Sequence, residues 1–147
     1  MKLSAYVIFV LMFCFSNINF ASDNAKQKGT LIIKFNGLNS DKGNVIIAVC
    51  NSAENYKDNL SPFIGKTVKI ENNSATIEFD NLPFGEYAVK AFHDEDANND
   101  LNTNFLGIPV ENYGFSNNAR GMFGPPSWND AKFKLSDENK MIEIEIK

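Results

Sequence analysis

The stretch FDNLPFGEYAVKAF, residues 79–92, reads as the end of one strand, a turn and most of a second strand. Within NLPFG, proline fixes φ and lacks a ladder donor, while glycine takes conformations that other residues avoid, so a chain reversal is expected there. Beyond it, EYAVKAFH (86–93) alternates: Tyr87, Val89 and Ala91 fall on one side, with Glu86, Lys90 and Phe92 nearer the other. A two-residue period is the signature of a strand with one face on a core.

The same rhythm runs outward. GTLIIKFNGL (29–38) is rich in β-branched and aromatic residues, and NVIIAVC (44–50) is a near-continuous apolar run suited to a central strand. NSDKG between them is a turn. The polar segment NSAENYKDNLSP has room for one helical turn with Ser52 as its N-cap. KTVKIEN (66–72) and SATIEFD (74–80) predict a tight hairpin through Asn72 and Asn73. AKFKLS (131–136) and MIEIEIK (141–147) complete the set. The latter alternates Ile142, Ile144 and Ile146 with Glu143, Glu145 and Lys147, so one face meets water. Short strands without a long helix predict an all-β fold, a seven-stranded antiparallel β-sandwich with one long ordered loop. The Leu-Pro-x-Gly-x-Tyr order in residues 82–87 also resembles the strand–turn–strand of transthyretin-like sandwiches. This implies a transthyretin/immunoglobulin-like scaffold and says nothing of function.

The N-terminal stretch has a different character. In MKLSAYVIFVLMFCFSNINFAS, Lys2 precedes an apolar run from Ala5 to Phe15, followed by polar residues and Ala21. That is the layout of a secretory signal peptide, the run being too short for a bilayer span. The expected organisation is a signal peptide at residues 1–21 and a single β-sandwich domain at 22–147, in an exported protein that is periplasmic or extracellular. The mature chain would have no membrane span. Loss of Lys2 leaves 13 basic against 18 acidic residues, a net charge of −5. With no Lys/Arg cluster, nucleic acid and anionic membranes are not expected partners. Only Cys50 would survive cleavage, so no intrachain disulfide can form. Its place at the end of an apolar strand predicts a packed thiol.

Residues 94–127 break the strand rhythm. A loop this long in a small domain needs anchors, because ordering each residue costs roughly 1–2 kcal/mol. Its first part, HDEDANNDLNTNF (93–105), concentrates like charge. Asp94, Asp96, Asn98, Asp100 and Asn102 occupy alternate positions, the oxygen-ligand spacing of an EF-hand-type calcium loop, and hard oxygen donors select calcium. Asn99 stands where such loops turn on glycine, and Phe105 where they carry a bidentate glutamate. A further ligand would have to be water, a carbonyl, or a distant carboxylate such as Glu111 or Asp130. The competing reading is a solvated Asp/Asn-rich turn.

The segment HDEDANNDLNTNFLGIPVENYGFSNNARGMFGPPSWNDAKF (93–133), with GNVIIAVCNSAENY and LPFGEYAVKAF upstream, resembles a bacterial family of small exported proteins of unknown function. The pattern of that family runs HDENGNGKLDTN, then Gly-Ile-Pro, GFSNNA and FGPP. This chain departs from it at Ala97, Asn99, Asp100 and Asn102, where the family favours Gly, Gly, Lys and Asp. The resemblance implies fold and location and carries no activity.

Two further constellations stand out. Tyr113, Phe115, Phe123 and Trp128 can form a platform for a sugar or peptide, or be buried as a satellite core. His93, the only histidine, stands beside Asp94, an arrangement that general-base chemistry uses. No nucleophile signature accompanies it. The chain therefore reads as a non-enzymatic binding or accessory module for an unknown envelope or extracellular ligand, with a calcium-stabilised acidic loop. The alternative is a hydrolase using His93 with Asp94 or Asp96.

Overall fold

Alternation alone seats the first strand: Leu31, Ile33 and Phe35 are fully buried while their neighbours are half-exposed. The computed structural model describes residues 27–57 and 61–147. The expected signal peptide lies outside the described residues. Strand β1 (Lys28–Asn36) lies between β4 (Ala75–Pro83) and β8 (Asn139–Glu145) in a three-stranded sheet. The five-stranded sheet runs β3 (Ile64–Lys69), β2 (Asn44–Cys50), β5 (Gly85–Asp94), β6 (Tyr113–Phe115), with β7 (Phe133–Leu135) also pairing with β5. Among the described residues two short α-helices, α1 (Ala53–Lys57) and α2 (Trp128–Ala131), and a 3-10 turn at Ser116–Asn118 lie outside the sheets. Ser52 caps α1 as expected, its Oγ accepting from the Asn55 amide at 3.3 Å.

The fold is thus an all-β sandwich. Eight strands occur among the described residues rather than seven, and the antiparallel rule has one exception: β1 and β8 run parallel, in register from Thr30↔Asn139 to Asn36↔Glu145. The additional strand is β6, inside the segment that shows no strand pattern in sequence. The facing sheets bury Leu31, Ile33 and Phe35 of β1 against Val45, Ile47 and Val49 of β2 and Tyr87, Val89 and Ala91 of β5. Each fully buried large apolar side chain contributes roughly 1.5–3 kcal/mol. An exposed ion pair such as Lys132–Glu86 contributes about 0–1 kcal/mol. Packing therefore holds the sandwich, with Cys50 buried as a free thiol. The turn before β5 is pinned by Tyr87, whose hydroxyl donates to the Pro83 carbonyl at 2.6 Å.

The hairpin expected from residues 66–80 is only a turn. Asn72 and Asn73 have φ of 53° and 55°, and Glu71 and Ser74 exchange two backbone bonds of 2.8 and 3.1 Å. Beyond that bridge the arms separate, β3 pairing with β2 and β4 with β1. The cause is packing: Ile70 and Ala75, flanking the turn, both enter the core between the sheets.

The GFSNNA stretch is a clip. A Cβ on Gly114 would lie 2.6 Å from the Glu145 carbonyl oxygen, so only glycine lets β6 pass the end of β8. The fully buried Ser116 Oγ accepts from the Val89 amide at 2.8 Å and donates to the Ala131 carbonyl at 2.6 Å. Asn117 donates to Asp130 and Lys132 carbonyls at 3.0 and 2.9 Å, and Asn118 Oδ1 accepts from the Glu145 amide at 2.8 Å. Ser116→Ala leaves a buried donor and a buried acceptor unpaired. It should lower the unfolding free energy by about 2–3 kcal/mol, read as a lower urea midpoint at unchanged slope.

Candidate metal centre at the end of strand β5

Strand β5 ends at Asp94, which is completely buried. The chain then turns sharply, because Asp94 takes the next backbone donors itself: its two carboxylate oxygens accept from the amides of Asn98 and Asn99 at 3.1 and 3.0 Å. Asp96 is exposed. One of its oxygens accepts from the Asn98 amide at 3.2 Å, and the other from Asn98 Nδ2 and Asn102 Nδ2 at 3.0 and 2.9 Å. The chain returns to the end of β5 at Asn112, whose carbonyl accepts from the His93 amide at 2.8 Å. That bond sets Glu111 beside the turn. Glu111, only 8% exposed, accepts from the Glu95 and Asn102 amides at 3.0 and 2.9 Å.

Asp94, Asp96 and Glu111 each offer an oxygen, and these lie within 4.8 Å of one another, a group that can hold a metal ion. No lysine or arginine occurs in the sequence between Lys90 and Arg120. Like charges this close repel, and burying two of them adds a desolvation cost that hydrogen bonds only partly offset. The donor set suits a hard cation. Calcium–oxygen distances of about 2.3–2.6 Å place opposed ligands about 4.6–5.2 Å apart.

Of the five loop residues read from spacing, Asp94 and Asp96 enter this group. Asn98 and Asn102 bind Asp96 through their amides and bridge each other at 2.8 Å. Asp100 is exposed and lies outside the group. Of the two distant carboxylates, the fold brings in Glu111. Asp130 is engaged instead at the start of α2, where its amide donates to Ser127 Oγ at 3.3 Å.

Two turn positions carry backbone strain. Ala97 has φ of 58° and Asn99 of 68°. Asparagine tolerates the left-handed region, but alanine there costs roughly 1–2 kcal/mol. Part of any gain from glycine is offset by unfolded-chain entropy. Ala97→Gly should therefore raise stability by about 0.5–1 kcal/mol, measured as a higher denaturation midpoint.

His93 is fully buried, its Nε2 donating to the Lys42 carbonyl at 2.8 Å. Its Nδ1 has no hydrogen-bond partner and lies 3.7 Å from Glu95 Oε1. Asp94, occupied by Asn98 and Asn99, does not orient the imidazole.

The four rings read as a platform are divided. Phe115, Tyr113 and Trp128 pack into a second cluster around Cys50, Tyr56, Ala88 and Ala131, whereas Phe123 stands 97% exposed. Tyr56 contacts Trp128 edge-on at 5.8 Å and donates its hydroxyl to the Pro126 carbonyl at 3.1 Å. Burial pushes the Tyr56 phenol up to about 12, so it remains a donor across the physiological range.

A family model described as "Uncharacterized protein conserved in bacteria (DUF2141)" matches residues 33–143, from within β1 to within β8, including Asp94, Asp96 and Glu111. No curated protein and no solved structure matches the chain.

Proposed function

The chain belongs to this bacterial family of uncharacterized proteins, and we propose that it is an exported, non-enzymatic binding or accessory module whose acidic loop is organised by calcium. The observation that carries the reading is the convergence of Asp94, Asp96 and Glu111 in a stretch without basic residues. Glu111 takes the part that Phe105 cannot, and the side-chain amides of Asn98 and Asn102 donate to Asp96 through their nitrogens and so position its carboxylate. A bound calcium ion would neutralise the carboxylates and tie β5 to the return strand. With the glutamate drawn from outside the local loop, affinity is expected near the ~10⁻⁴–10⁻³ M of extracellular modules, which suits a periplasmic or extracellular setting. The burial of His93 and the engagement of Asp94 by backbone amides support this reading over a hydrolase.

The test is a melting curve in EDTA and in about 10 mM calcium. Binding of the expected strength adds about 1–3 kcal/mol to the folded state, raising the midpoint by several degrees. Magnesium should do less, since it demands a tighter octahedron and sheds water reluctantly. Identical curves in EDTA and calcium would sink the proposal.

A further inference from the structure

The acidic group at the end of β5 makes no use of the ring of His93. That ring is fully buried, with Nε2 2.8 Å from the Lys42 carbonyl oxygen. A carbonyl only accepts, so Nε2 carries the proton and, in the neutral ring, Nδ1 carries the lone pair. Nδ1 is enclosed and has no hydrogen-bond partner among the described residues. It faces another acceptor, Glu95 Oε1, at 3.7 Å. A buried acceptor without a donor is costly, and a carboxylate set against it adds repulsion. Neither His93 nor Glu95 belongs to the group formed by Asp94, Asp96 and Glu111.

The separation decides what fits between the two atoms. A direct hydrogen bond needs about 2.7–3.2 Å, and a water bonded to both would hold them about 4.5 Å apart. A zinc-like ion, about 2.0–2.2 Å from each, holds them about 3.3–3.7 Å apart at tetrahedral to trigonal angles. An imidazole nitrogen with a carboxylate oxygen suits a borderline ion such as zinc and not calcium. The bond from the other ring nitrogen to a backbone carbonyl is the kind that fixes the tautomer and aim of a metal-bound histidine. We infer that His93 Nδ1 and Glu95 Oε1 form a second metal site, for a borderline divalent ion of the zinc class. The Glu95 side chain is 45% exposed, which gives the ion its way in. With two protein ligands, water completes the coordination shell, so the ion exchanges readily. Nothing in this arrangement depends on calcium at the neighbouring carboxylates.

The chain has one histidine, so nitrogen NMR of the full chain, isotope-labelled at histidine, reads this ring alone. On adding zinc near neutral pH, the Nδ1 resonance should move from the position of a free lone pair to that of a metal-bound nitrogen, while Nε2 keeps its proton. Calcium should leave it in place. Glu95→Gln removes a half-exposed carboxylate, so its melting temperature in EDTA should be unchanged or higher. It should need about tenfold more zinc, or worse, for the same Nδ1 response. An Nδ1 resonance that zinc leaves unmoved, or that calcium moves as zinc does, overturns the inference. So does an equal zinc response in Glu95→Gln. So does an Nδ1 that already carries a proton in the metal-free protein, which would make the contact with Glu95 a simple ion pair.

Discussion

Glu111→Ala should abolish the calcium-dependent rise in melting temperature, and in chelator it should change stability by no more than about 1 kcal/mol, because the two lost amide bonds are offset by relief of repulsion with Asp94 and Asp96. Two effects oppose each other. The side chain is the acceptor for the amides of Glu95 and Asn102, both of which would be left without it. It also supplies the third carboxylate of the group formed with Asp94 and Asp96. Glu111→Gln separates the two. The amide keeps one acceptor oxygen but no charge, so it should be at least as stable as Glu111→Ala in chelator and recover little of the calcium response. If Glu111→Ala melts higher with calcium by the same margin as the native chain, the carboxylates of the loop alone hold the ion. Isothermal calorimetry with calcium on the same three proteins gives an independent reading of affinity.

Gly43→Ala should be the more damaging to stability, from the other side of the site, costing about 2–4 kcal/mol. Gly43 has φ of 66°, and an added Cβ would stand 1.8 Å from the Asp94 carbonyl oxygen. Neither partner can yield cheaply, because one is the start of β2 and the other the buried end of β5, and the two strands pair at Asn44↔Asp94. A displaced Asp94 also loses its aim, so the calcium response should fall together with the urea midpoint. Gly107→Ala is the control. It too has positive φ, 75°, but a Cβ there meets nothing within 4 Å, so it should show backbone strain of about 1 kcal/mol without loss of calcium response.

What the sequence makes legible follows from the range of the forces involved. The two-residue alternation in β1, β5 and β8 is a local record of a distant core, so Leu31, Tyr87 and Ile144 declare their burial without any knowledge of partners. Turn chemistry is equally local, and the Asn72-Asn73 reversal is where the residues place it. Partner choice is not local. Ile70 and Ala75 commit the two arms of that reversal to different sheets only because a core lies between them. Strand β6 has three residues, one of them glycine, and owes its existence to Ser116 and Asn118 bonding elements far along the chain. The site divides the same way. The spacing of Asp94 and Asp96 is visible within three residues, whereas Glu111 joins them through a chain return fixed by His93 and Asn112, a contact that no motif spells.

The parallel pairing of β1 with β8 has a temporal consequence. The middle strand of the smaller sheet meets its second neighbour only in residues 139–145. While the polypeptide is emerging, whether from a ribosome or a translocation pore, β1 keeps a bare edge and Ile33 and Phe35 lack the cover of Ile144 and Ile146. The topology thus ties the closing step to the arrival of the carboxyl terminus, the kind of non-local pairing that makes folding slow. A chain stopped before residue 139 is left with an unpaired strand flank, open to a neighbouring molecule and to proteases.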